Sequence, residues 1–183
     1  MYYANSDQWL YSFSSNGSTS ETTLRPNNSM NSPCFAEINK IHVGCLDNRL
    51  YSHSPLAHIG NNYYDAKEPI SSRGLCYDGN GHLYFGTQFT SKIISINSDN
   101  LTARWETIIP GGFNASIYGT PVIDKDNILY VGSENKTLYA IDASNGKILW
   151  TFSADGSIRS TVTIDQDGTL YFSTTNGYIY AIS

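Results

Sequence analysis

The chain has 183 residues, 15% of them charged, with 14 tyrosines, 15 glycines and a formal net charge of −5. That length is enough for one domain with a real core. No apolar run approaches the roughly 18 residues of a membrane-crossing helix, and an acidic balance without a basic cluster argues against nucleic acid as a partner.

In chain order, short runs of β-branched and aromatic residues alternate with breaks rich in Asp, Asn, Gly and Ser, which predicts strands and hairpins and no helix. Residues 1–13 predict two strands, with a weak third near Thr19–Leu24. Four-stranded units are expected over about 32–66, 73–108 and 119–152, and three further strands over 160–183. Arg25-Pro-Asn-Asn28 and Pro110-Gly-Gly-Phe-Asn114 read as turn-rich links. The N-terminus, Met1-Tyr-Tyr-Ala-Asn5, lacks the basic and apolar regions of a secretory signal.

The clearest unit is Gly119–Trp150, with apolar runs at Pro121–Ile123, Ile128–Val131 and Leu138–Ile141 and a fourth at Lys147–Trp150. Moved forward by 41 residues, Asp124, Tyr130 and Tyr139 fall on Asp165, Tyr171 and Tyr180. Moved back by 46, Asp124, Leu129, Tyr130 and Gly132 fall on Asp78, Leu83, Tyr84 and Gly86. At offsets of 88 and 128 the pattern reaches Val43, Gly44 and Tyr51, and then Tyr2, Leu10 and Tyr11. A four-stranded unit repeating every 40 to 46 residues or so is the signature of a β-propeller blade. The expected fold is therefore all-β: a single propeller domain, or part of one, with about five partial or complete blades whose strands are named A to D outward from the axis.

The A–B turns Asp78-Gly-Asn-Gly81, Asp124-Lys-Asp-Asn127 and Asp165-Gln-Asp-Gly168 suit tight hairpins, since their side chains cap local amides and tolerate positive φ. The ligand spacing of a calcium loop is missing. Between strands C and D, Ala140–Trp150 has the form A-x-D-x-x-x-G-K-x-x-W. Asp142 is placed to cap the turn, Gly146 to end it in the left-handed conformation, and Trp150 to wedge between blades. Burying that indole would contribute roughly 4–6 kcal/mol before entropy is counted. Ser95–Trp105 keeps the spacing and the tryptophan, with Asn97 and Leu101 at the Asp and Gly positions.

This motif, following Leu-Tyr-Val-Gly and Leu-Tyr-Ala-Ile-Asp strands, resembles the tryptophan-docking repeat of the PQQ-like β-propeller superfamily, which includes quinoprotein dehydrogenases and a lipoprotein of outer-membrane protein assembly. The resemblance makes Asp142, Gly146, Trp150 and Trp105 blade-docking residues and implies a periplasmic or extracellular setting. A quinoprotein enzyme would carry adjacent cysteines, a catalytic Asp and a Trp platform, and Cys34, Cys45 and Cys76 include no adjacent pair. Read through the repeat, Cys34 and Cys76 are small buried residues of strand A and all three thiols are free. No nucleophile elbow, phosphate loop or metal-ligand set appears, so no catalytic, cofactor or metal residue is expected. Five Asn-x-Ser/Thr triplets, from Asn16 to Asn135, are what chance gives a chain this rich in Asn, Ser and Thr.

The functional expectation is a non-enzymatic module that binds a protein through loops on a rigid scaffold. Candidate contacts are Tyr63 and Tyr64 in Asn61-Asn-Tyr-Tyr64, and Phe113 and Tyr118 in Phe113–Tyr118. The alternatives are a lectin-like propeller and a fragment of a larger quinoprotein-type enzyme. The terminal blades each lack a strand in this reading, so self-association through their unpaired edges is a further expectation.

Overall fold

The computed structural model describes residues 2–4, 10–13, 18–21, 26–37, 40–54 and 62–183. The triplet at Asn16, the end of the strand expected near Thr19–Leu24, Arg25 and Asn61 lie outside these residues. Among the described residues, eighteen strands form five antiparallel sheets. The first holds β1 (Tyr2–Ala4), β2 (Leu10–Phe13) and β3 (Thr19–Glu21), and the second β4 (Cys34–Glu37), β5 (Lys40–Gly44), β6 (Arg49–His53) and β7 (Asn62–Asp65). The third holds β8 (Cys76–Tyr77), β9 (His82–Gly86), β10 (Lys92–Asn97) and β11 (Ala103–Ile108). The fourth holds β12 (Val122–Ile123), β13 (Ile128–Gly132), β14 (Thr137–Asp142) and β15 (Ile148–Ser153), and the fifth β16 (Thr163–Ile164), β17 (Leu170–Ser173) and β18 (Ile179–Ile182). Each sheet is a meander in sequence order, because its strands are joined by turns too short for a crossover. One helical turn breaks the expected absence of helix: a 3-10 turn at Gly112–Ala115, where Gly111 and Gly112 take φ +122 and +55.

Alternation along each middle strand sends neighbouring side chains into different gaps between sheets. Leu129 and Val131 enter the gap toward the third sheet with Tyr84, Ile93 and Ile117. Tyr130, between them in sequence, enters the gap toward the fifth with Leu138, Leu170 and Phe172. Leu50, Ile70, Leu83, Phe85 and Ile96 fill the gap between second and third, and Leu10, Ile41, Val43 and Tyr51 that between first and second. This is why the middle strands of the second, third and fourth sheets are buried on both sides, while β17 of the fifth alternates buried and exposed residues. Each fully buried Leu or Ile contributes about 1.5–3 kcal/mol.

The glycine ending the B strand of the second, third and fourth sheets has a specific partner. Gly44, Gly86 and Gly132 face Ile70, Ile117 and Ile158, each from the linker leading to the next sheet. A Cβ at Gly44 would stand 2.8 Å from Ile70 Cγ2, so any larger residue would displace the linker. The innermost strands β4 and β8 approach each other, as strands around a common axis must.

Candidate functional site

Three A–B turns share one device. Asp124 Oδ1 accepts from the amides of Asp126 and Ile128, both at 2.9 Å, and Oδ2 from the Tyr130 hydroxyl at 2.9 Å. Asp165 does the same with Asp167, Thr169 and Tyr171, and Asp78 with Asn80, His82 and Tyr84. Asp78 also meets His82 Nδ1 at 2.6 Å; burial raises its carboxyl, but these hydrogen bonds outweigh it and hold it below the usual range. Burial, then the bond to Asp124, pushes the Tyr130 phenol up to about 12. A hollow of about 600 Å³ lies between the inner strands and turns of the fourth and fifth sheets, and the carboxylates of Asp124 and Asp165 in its lining are spent on their own hairpins.

In the C–D turn of the fourth sheet, Asp142 Oδ1 accepts from the Ser144 amide at 2.9 Å and hydroxyl at 2.6 Å, and Gly146 ends the turn at φ +79. Trp105 of the third sheet lies on this turn. Its indole N–H donates to Ala143 O at 3.0 Å, and the Thr107 hydroxyl donates to Gly146 O at 2.5 Å. At the equivalent turn of the third sheet, Leu101 takes φ +56 without being glycine, and its side chain packs into the gap toward the second sheet.

Trp150 lies on the outer strand β15. It is 39% exposed and rests on Tyr130 of its own sheet, with ring centroids 5.9 Å apart. Tyr63 and Tyr64 move, from a loop to the outer strand β7. Tyr63 is covered by the Arg49 guanidinium, 4.4 Å from its ring centre. Tyr64 packs edge-on to Phe85 at 6.1 Å and donates to Glu106 at 3.1 Å, so it joins the second sheet to the third. Burial, then the Glu106 charge, pushes its phenol up to about 12. Cys34, Cys45 and Cys76 are free; Cys45 is buried, whereas Cys34 and Cys76 are half-buried in β4 and β8. Burial pushes the Cys45 and Cys76 thiols up to about 12.

The remaining candidates meet at the end of the sheets that carries the linkers and B–C turns. Phe113, on the 3-10 turn, stacks on Phe89 of the β9–β10 turn, with centroids 5.5 Å apart and planes 14° apart. Both rings face solvent, at 62% and 47% exposure. Beneath them the two loops are tied together: Ser91 OH donates to Gly112 O at 2.6 Å and Ser116 OH to Gln88 O at 2.8 Å. Glu68, a buried linker residue, accepts from the Phe89 and Thr90 amides at 2.8 and 2.7 Å and from the hydroxyls of Thr87 and Thr90. Burial alone would raise its carboxyl, but those bonds outweigh it and hold the group below the ordinary glutamate range. Beside Phe113 a hollow of about 280 Å³ is lined by Asn114, Ser116, Tyr118 and Glu134. Two of these lining residues also meet Arg159, which lies 5.5 Å from the Tyr118 ring centre and is paired through Nε and Nη2 to both Glu134 oxygens at 2.5 and 2.9 Å.

Sequence reasoning found Phe113 and Tyr118 but missed Phe89, Glu68 and Arg159. The available signal was an apolar residue, Phe89, inside a turn whose counterpart in the next repeat is Asn135. Among the described residues, no group of three or more His, Cys, Asp or Glu side chains could hold a metal ion, and no helix is long and apolar enough to cross a membrane.

Five meandering sheets packed face to face around a common axis define a β-propeller, with an exposed aromatic surface at one end. A family model described as outer membrane protein assembly factor BamB matches residues 90–183, just over half of the chain. The chain belongs to that family of PQQ-like β-propellers. Among solved structures, BamB from Moraxella catarrhalis aligns at a TM-score of 0.79 and 14% identity, over 100% of this chain and 57% of that one. The WD40 β-propeller domain of Doa1 aligns at 0.75 and 13%, over 97% and 61%, and the computationally designed Ika8 protein at 0.71 and 12%, over 96% and 55%. The chain thus spans little more than half the length of these structures, and at such identities they show the fold alone. No curated protein matches it.

Proposed function

We propose that this chain is a non-enzymatic scaffold that docks a protein partner on the linker and B–C-turn end of its sheets. The observation that carries the reading is the stacked, solvent-facing pair Phe89 and Phe113, held by loops tied through Ser91, Ser116 and Glu68. Aromatic anchors fixed before binding lose little freedom on association, which is the property of interface hot spots. Trp105, Asp142 and Gly146 serve as blade-docking parts that hold the third sheet to the fourth. Membership of a family described as an outer membrane protein assembly factor agrees with a protein partner and a setting outside the cytoplasm.

A glycan is the second reading, because an aromatic wall beside Asn114 and Glu134 is also where a sugar ring stacks. Affinity capture from the native extract, comparing wild type with Phe89→Ala/Phe113→Ala, separates the two. Loss of one defined protein, with an unchanged thermal midpoint, is the expected result. Retention of every captured protein by the double variant would reject this face, and selective loss of oligosaccharide binding would favour the glycan.

A further inference from the structure

We infer that the outward face of the fifth sheet is an interface, and that its occupant is a second copy of this chain, packed on the same face by two-fold symmetry. Alternation divides this sheet into two sets of side chains. Leu170, Phe172 and Tyr180 point back to the fourth sheet, while Thr163, Tyr171, Ser173, Ile179 and Ala181 point away from it. The outward set is exposed, Tyr171 at 40% and Ile179 at 80%. In the third and fourth sheets the same positions are held by Tyr84 and Ile93, and by Tyr130 and Leu138, all buried in the gap to the following sheet. The fifth sheet thus turns to solvent an apolar surface that the fold elsewhere covers.

Three features say what covers it. At Gly44, Gly86 and Gly132 the covering linker seats an isoleucine against a residue with no Cβ. Ser173 stands at that position in the fifth sheet, opposite Ile179 as Gly132 is opposite Leu138, and its Cβ closes the seat. A further sheet clasped in the manner of the inner gaps therefore does not fit here. The face is also neutral: none of its five outward side chains is charged, so two copies can meet on it without opposing like charges, although each chain carries a net −5. Its relief suits self-packing. Tyr171 stands in one row between Thr163 and Ala181, and Ile179 lies beside Ser173, so two large side chains project among three small ones. Turned about a two-fold axis, the large residues of each copy lie over the small residues of the other, which makes a closed, isologous contact.

The test is sedimentation velocity on the full chain over a wide range of concentration. Wild type is expected to pass from monomer to dimer and to stop there. Ile179→Asp and Ala181→Arg should each raise the dissociation constant about tenfold or more. Leu149→Asp, equally an exposed apolar position but on β15, should leave it unchanged. The double change Phe89→Ala/Phe113→Ala should also leave the dimer intact, so this inference and the docking reading fail separately. Thiol crosslinking gives a readout that does not depend on weakened association: Ile179→Cys should yield a covalent dimer with a bismaleimide, and Leu149→Cys should not. A monomer at every concentration, growth beyond the dimer, equal weakening by Leu149→Asp, or crosslinking from position 149 and not from 179 would overturn the inference.

Discussion

The indole N–H of Trp105, on the outer strand of the third sheet, donates to the carbonyl of Ala143, in the C–D turn of the fourth, at 3.0 Å. One bond thus joins two sheets through a residue of each, while Trp150, at the same place in its own repeat, lies 39% exposed. The two tryptophans should therefore differ in what they stabilise. Trp105→Ala is expected to cost about 3–4 kcal/mol, since it removes an inter-sheet contact and the shortest hydrogen bond to Ala143 O. Trp150→Ala should cost about 1 kcal/mol or less. Urea denaturation of both variants checks the contrast, and equal losses would contradict it.

Gly146 offers a second test of the same contact. It sits at φ +79, and a Cβ there would stand 2.7 Å from Trp105 Cε3 and 2.6 Å from Thr107 Oγ1. Gly168 has a similar φ of +86 with nothing within 4 Å of its would-be Cβ. Gly168→Ala should cost about 1 kcal/mol, from backbone strain alone, and Gly146→Ala about 2–4 kcal/mol, from strain and displacement of the indole. Chemical denaturation midpoints measure the difference.

Glu68 makes the aromatic face sensitive to acid. Its folded carboxyl is held below the ordinary value of 4.5, so the charged form is favoured by folding. The associated stability is present above the unfolded value and lost as pH falls through the folded one. Protection of the Phe89 and Thr90 amides from exchange, taken relative to their intrinsic rates, should fall as the pH drops below 4.5. Glu68→Gln should exchange faster at neutral pH and show a flatter dependence. Parallel pH profiles for the two proteins would remove Glu68 from this role.

The A–B turns test a hairpin against a cation site. Asp124 closes its turn with two amides and the Tyr130 hydroxyl. Asp124→Ala should cost about 1–3 kcal/mol and Tyr130→Phe about 0.5–1.5 kcal/mol. Neither calcium nor a chelator should move the thermal midpoint of the wild type. A midpoint raised by calcium would favour an ion site over simple capping.

What the sequence disclosed follows from which interactions are local. The Asp–Tyr pairs at six-residue separation were legible because strand and cap lie within one hairpin, and Asp124 and Tyr130 recur as Asp165 and Tyr171. The exposure of Trp150 was not, because its environment depends on a turn one repeat away and not on its own motif. Tyr63 and Tyr64 looked like loop residues beside two asparagines, yet they pair with Tyr51 and Leu50 across the sheet. The Phe89–Phe113 pair had no periodic signal at all. Each ring stands in a segment connecting strands, and only the linker after β11 folding onto the β9–β10 turn brings them together.

The central claim is that the partner docks on the Phe89–Phe113 end, and site-specific photocrosslinking tests it most directly. A benzophenone side chain placed at position 113 should capture one defined protein in the native setting. The same group at Asp126, at the opposite end of the sheets, should capture none. Capture of that protein from position 126 and not from 113 would contradict the account.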